Sequence, residues 1–185
     1  MNDILERKKY IIRTLKDIDK YPATSVYKLE MMSFAYVLVC GAIEYMIETI
    51  LQNWLDKTIK HHKSAAYRGK KYVQYFLETQ MGAREKNIEG FHSTKLDQIR
   101  GLISNVVGEK AKNNFNTLFN TAQNLISLQP DINARLERIN RIRHELAHGQ
   151  KTPDDIQPNI SELIVDFEFV YNHIIKNVKS CLPKV

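Results

Sequence analysis

Residues 34–55 read "FAYVLVCGAIEYMIETILQNWL". On a helix of 3.6 residues per turn, these apolar side chains fall on nearly every side, so protein must surround the helix. Nowhere does the chain show sustained period-2 alternation bounded by hairpin turns. A helix buried all round needs several others to cover it. The reading is therefore an all-α, single-domain helical bundle of five to seven helices over residues 1–185. The central helix is expected from about Ser25 to about Ile59. Its longest apolar run, Met31 to Ile43, is 13 residues and stops at Glu44, which is short for a bilayer span.

Outward from this element the helical period persists. Residues 2–19 place Ile4, Leu5, Ile11, Ile12, Leu15 and Ile18 on one stripe, and Pro22 in "YPATS" ends that helix. The pattern weakens between residues 61 and 93, an excursion from the bundle. There "YVQYFLETQ" reads as a short helix and "MGAREKNIEGFHS" as loop. Ser93 or Thr94 should cap a helix through Val107 that Gly108 ends. "EKAKNNFNTLFNTAQNLISL" reads as another helix, with Phe115, Leu118, Phe119, Ala122, Leu125 and Ile126 on one side. Pro130 starts a helix that Gly149 closes, "QKTPDDIQPN" is a polar turn, and the last helix runs from Ile160 to Ser180. No internal repeat interrupts this order.

Composition narrows the partners. The chain is 43% hydrophobic and 26% charged, values of an ordinary folded domain rather than a disordered one. Its formal net charge of +6 and pI near 9.2 favour a polyanionic partner. Two cysteines make neither a disulfide framework nor a zinc cluster; Cys40 reads as core and Cys181 as incidental. "MNDILERKKY" is charged from its start and lacks the apolar stretch of a signal peptide, so the expected place is the cytoplasm, with no membrane partner.

The chemistry concentrates in "RIRHELAHG", residues 141–149, where two motifs overlap. His144-Glu145-Leu146-Ala147-His148 is H-E-x-x-H, the zinc-protease pattern, in which two histidines one turn apart share a metal and the glutamate is the base. Its third ligand is the difficulty. The metzincin continuation needs Gly and His where Lys151 and Asp154 stand. Only 13 residues separate Glu162 from His148, and they hold a helix stop and two prolines. A peptide-docking strand edge is also wanting. The bland reading makes Arg143, His144 and Glu145 surface residues and His148 a helix-terminal cation.

The other motif is Arg143-x-x-x-x-His148. The two residues lie about 140° apart around a helix and about 7.5 Å along it, so they do not stack, but long side chains can converge on one phosphate at the helix end. RNA carries its own nucleophile, the 2′-OH. An imidazole can take that proton, a guanidinium can offset charge on the phosphoryl oxygens, and no metal is needed. Arg135, Arg138, Arg141 and Arg143 fall within nine residues, between the core positions Leu136, Ile139, Ile142 and Leu146, a face suited to phosphates.

Arg143-His144 followed by Ala147-His148-Gly149 resembles the R-polar-x-x-A-H-G signature of the HEPN superfamily, and the closest subgroup is the RiboL-PSP-like HEPN domains. "FAYVLVCGAIEYMIETIL" resembles the early buried helix of that family, which often carries a glutamate at the place of Glu44. The similarity spans roughly residues 25–180. It implies a metal-independent endoribonuclease of toxin–antitoxin or anti-phage (abortive infection) defence. Arg143 and His148 would be its catalytic pair and His144 the polar residue beside them. Expected partners are RNA, a second copy in a homodimer and a cognate antitoxin or defence protein; no cofactor is implied. Many HEPN domains are inactive scaffolds, so the alternative is a non-catalytic module binding RNA, a nucleotide or a protein. The zinc protease is a distant third. Some HEPN toxins place a tyrosine, the target of AMP modification, where this chain has Gln150, which leaves that control without support.

Further expectations are finer. Glu44 inside an apolar helix needs a charge partner, and the Arg-rich helix is the natural source; Glu44 then supports and orients rather than catalyses. Arg138, Arg141 and Lys151 are the expected RNA-contacting cations. "HHK" at 61–63 with Arg68, Lys70 and Lys71 reads as a solvated basic loop before an RNA patch. Tyr72, Tyr75 and Phe76 read as core before base-stacking platforms.

Overall fold

The computed structural model describes residues 2–22, 25–63, 75, 77–118, 129–156 and 159–184, and every element among them is helical. In chain order these are α1 (Asn2–Asp19), α2 (Val26–His62), a π turn (Leu77–Met81) leading into α3 (Gly82–Glu89), α4 (Leu96–Val106), α5 (Glu109–Thr117), α6 (Gln129–Ala147), a one-turn α7 (Pro153–Ile156), and α8 (Ile160–Val170). A second π turn (Tyr171–Ile175) carries α8 straight into α9 (Lys176–Cys181). Counting that last run as one rod, the described residues form seven helices longer than a turn.

α2 is the axis. Ile43, Met46, Ile47, Leu51 and Leu55 on it are fully buried, each worth roughly 1.5–3 kcal/mol relative to exposure. The helix continues past Glu44 to 37 residues. It contains an 18-residue window of mean hydropathy 1.6, long and apolar enough to cross a membrane, so length is no argument against spanning. Of that window 56% is buried against neighbours, as in the core helix of a bundle.

α1 and α2 form an antiparallel pair. Tyr45 donates to Asp3 at 2.8 Å at one end, and Lys28 donates to the Asp19 carbonyl at 3.0 Å at the other. α8 lies antiparallel to α1, with Ser161 donating to Asp19 and Lys8 paired with Glu168. α6 packs against both α2 and α8. Against α2 the Cys40 thiol meets Asn140 (3.9 Å), and α6 runs antiparallel to α8, Arg138 reaching Glu162 and Asp166 while Arg135 reaches Asp166 and Phe169.

Local signals explain most helix ends. At Gly149, φ is +62°, a left-handed value that a side chain resists. Its neighbours close a Schellman motif: Gln150 N–H donates to the Glu145 carbonyl at 3.0 Å, and Gly149 N–H to the Leu146 carbonyl at 3.2 Å. Asn159 caps α8 by accepting from Glu162 N–H at 3.1 Å. Gly108, at φ +122°, turns the chain from α4 into α5.

Four expectations are corrected. "MGAREKNIEGFHS" is largely helical: α3 forms because Met81 and Ile88, one face apart, bury against the bundle, and Phe91 buries just after it. Thr94 does not cap α4. Its hydroxyl is buried on Asn140, while Ser93 Oγ accepts from Lys95 N–H at 3.1 Å. The polar turn at 150–159 contains α7, packed on α2. Cys181 is core, 3% exposed. Of the apolar face expected on the fifth helix, Phe115 is buried and Leu118 half-buried; positions 119, 122, 125 and 126 lie outside the described residues.

Candidate active site

α6 carries the four arginines, and the bundle divides them. Arg135 and Arg138 face α8, where Asp166 is 1% exposed. Arg135 donates to Asp166 Oδ1 at 2.6 Å. Arg138 donates to both Asp166 oxygens, at 2.6 and 2.8 Å, and pairs with Glu162 at 2.8 Å. The bond to Asp166 is the main reason the Arg138 guanidinium holds its proton more tightly than usual. Arg135 also lies 4.4 Å over the Phe169 ring. Arg138, expected among the RNA-contacting cations, is thus committed to clamping α6 onto α8. The reason is a carboxylate 28 residues away in sequence.

Arg143 is half-buried, and its charge acts on Cys40 and Glu44 of α2. Its charge reaches Glu44, where desolvation raises the carboxyl pKa and Arg143, then His92, draw it back down. Glu48, one turn further along α2, is raised by burial and lowered by His92. Of the four arginines on α6, Arg143 is the one whose charge acts on Glu44. Cys40, one turn before Glu44, has its thiol pushed up to about 12 by burial, which leaves it an inert core residue.

Asn140 ties the site together. Its side-chain oxygen accepts from Cys40 on α2 and from Thr94 in the segment between α3 and α4. That double acceptance fixes the register of α6 on α2 one turn before Arg143. No sequence signal marked Asn140 or His92, and Thr94 stood out only as a helix-cap candidate. Asp166 did carry one: an acid within the apolar run "LIVDFEF", the same signal that singled out Glu44.

His144 and His148 are exposed at the C-terminal end of α6, ring centroids 4.4 Å apart at 56°. The Schellman turn at Gly149 stops the helix at that point, so His148 stands at the lip rather than under a further turn. Arg141 and Lys151 both reach Glu145, at 3.4 Å each. Two of the expected RNA cations thus meet at one carboxylate beside the histidines, giving Glu145 a place the sequence had not assigned. Glu162, the third ligand a zinc protease would need, is paired with Arg138 on the α8 side. Among the described residues no three His, Cys, Asp or Glu side chains converge closely enough to hold a metal ion.

Other candidates lie apart. His61 and His62 close α2, their ring centroids 5.7 Å apart, and Tyr75 is 68% exposed rather than core. Arg68, Lys70, Lys71, Tyr72 and Phe76 lie outside the described residues.

What the arrangement can do is hold an anion at Arg143 with an imidazole at the helix lip beside it. No curated protein and no solved structure matches the chain. The profile of one family, described as RiboL-PSP-HEPN, matches residues 2–182, and the helical bundle described above is the all-α fold of that family. The chain belongs to the RiboL-PSP-HEPN family.

Proposed function

We propose that this HEPN domain is a metal-independent endoribonuclease of the cytoplasm, acting in toxin–antitoxin or anti-phage defence. The observation that carries the reading is the separation of arginines on α6. Arg143 alone is turned to the half-buried Glu44, next to the two exposed histidines where the helix ends. In this reading Arg143 grips the non-bridging phosphate oxygens, His148 takes the proton from the 2′-OH, and His144 steadies the substrate. Arg141 and Lys151 contact the strand on either side. Glu44 orients Arg143.

The reading includes a homodimer. One Arg143–His148 pair on an open helix end is a thin site, and a two-fold axis beside it doubles the donors. The outer face of α6 is polar, with Glu137, Arg141, His144 and His148. The apolar contact would come from α2, where Phe34 is 51% and Val37 45% exposed on the side nearest Glu44. Phe34→Asp should then yield a monomer by light scattering with an unchanged melting temperature.

A non-catalytic module that binds RNA or a partner is the second reading, favoured by the exposure of His148 at the helix lip. One assay separates the two. Purified protein should cut single-stranded RNA in excess EDTA and leave 2′,3′-cyclic phosphate ends. Arg143→Ala and His148→Ala should each abolish the cut, with His144→Ala weaker in effect. If none of the three changes any RNA cleavage, the binding reading stands.

A further inference from the structure

His148 provides one proton-transfer group, and cleavage by 2′-OH attack needs two. As the 2′-oxygen bonds to phosphorus it sheds a proton, and as the P–O5′ bond breaks the departing oxygen takes one up. The two oxygens are apical, on opposite sides of the phosphorus. His144 cannot face His148 across a phosphate, because the two rings already touch at a centroid separation of 4.4 Å. Apart from the second copy of the proposed homodimer, another element of the same chain can supply the second group.

The segment between α3 and α4 brings one. It is pinned at both ends: Phe91 is 7% exposed and Thr94 2%, the latter held on Asn140. Asn140 also accepts from Cys40, so the segment lies against the seam of α2 and α6 just before Arg143 and Glu44. Between the two anchors His92 is exposed. Its charge reaches Glu44 and Glu48 on α2, and Glu44 is also the residue that faces Arg143. The segment that carries His92 is therefore held at Asn140, one turn before Arg143, on a different element from His148, and the charge of His92 acts on two carboxylates of α2.

We propose that His92 is the general acid of the cleavage, donating a proton to O5′ as the P–O5′ bond breaks, while His148 takes the proton of the 2′-OH. The products are a 2′,3′-cyclic phosphate and a 5′-hydroxyl, with no change of oxidation state. This rests on the ribonuclease reading above.

The test compares two oligoribonucleotides, one normal and one with sulfur in place of the bridging 5′-oxygen. A thiolate leaves without protonation, so a lost acid no longer matters. His92→Ala should cut the normal substrate roughly 10²- to 10⁴-fold more slowly and the sulfur substrate within about tenfold of the unaltered protein. His148→Ala and Arg143→Ala should stay impaired on both. An equal loss on both substrates for His92→Ala, or an unimpaired rate on the normal one, overturns the assignment. So does rescue by sulfur of Glu44→Gln or His144→Ala instead. If the unaltered protein cuts neither substrate, the ribonuclease reading fails first and the assignment falls with it.

Discussion

Arg138 and Arg143 stand five residues apart on α6 and end in opposite situations. Arg138 uses its guanidinium on Asp166 and Glu162. Arg143 faces a carboxylate that burial has pushed toward its neutral form. The first arrangement is a structural clamp. It resembles any buried ion pair, whose partners satisfy each other and leave little for a ligand. In the second, burial raises the carboxyl pKa of Glu44 while Arg143 draws it back down, and the proposed reading gives that guanidinium the phosphate to bind. Five residues on a helix are about 140°, and that rotation separates a residue that fastens α6 to α8 from the one proposed to bind phosphate.

The comparison is most easily broken at Arg143. Arg143→Ala should lower RNA cleavage about 10³-fold, near 4 kcal/mol of transition-state stabilisation. Its unfolding free energy should change by less than about 1 kcal/mol, since the side chain is only half-buried. Urea titration beside the cleavage assay reads both. A large loss of stability would make Arg143 a second clamp.

Asp166→Ala should show the reverse pattern. Removing the acceptor strands two guanidinium groups. Their side chains are 28% and 35% exposed, so solvent relieves part of the cost. The expected loss is about 2 to 4 kcal/mol, below the range for fully buried pairs. If Asp166→Ala unfolds at the same urea concentration as the unaltered protein, the clamp is not structural.

Glu44 sharpens the contrast through pH. Its folded pKa is raised above the ordinary 4.5, so the folded state holds the proton more tightly than the unfolded one. The stability this group contributes is therefore greatest in acid. It declines as pH rises from 4.5 through the raised value. Glu44→Gln lacks that decline. The variant should melt with the unaltered protein in acid and at a higher temperature near neutrality, while cleaving RNA more slowly. A variant that melts lower at neutral pH would show that the Glu44–Arg143 attraction outweighs desolvation.

The smallest effect is expected at Glu145. Its contacts with Arg141 and Lys151 are long, and those cations are exposed. Such pairs contribute about 0 to 1 kcal/mol. Glu145→Ala should leave stability within about 0.5 kcal/mol and cleavage within about twofold. An inactive Glu145→Ala would instead revive the H-E-x-x-H reading, in which that carboxylate is the base.

Much of this molecule is legible residue by residue. The apolar circumference of "FAYVLVCGAIEYMIETILQNWL" announces a surrounded helix, Pro22 and Gly149 mark boundaries, and "RIRHELAHG" names the candidate pair. Helical period and turn chemistry are local, so they survive in the sequence. α3 escaped notice because Ile88 is the one buried side chain within it, flanked by Met81 and Phe91 in an otherwise polar segment, and so few apolar positions set no period.

The site divides along the same line. The sequence by itself determined that α6 would be rich in arginine and would end in His-Gly, and that Glu44 would need a partner. Only the tertiary structure decided that Asp166, 28 residues from Arg138 and nearer in sequence to Arg143, would take Arg135 and Arg138. It also decided that Thr94 would leave its helix cap for Asn140, carrying His92 toward Glu44. The physical reason is range. Propensity and capping act within one or two turns, whereas the partner of a buried charge is whichever opposite group the packing of distant helices brings within hydrogen-bond reach.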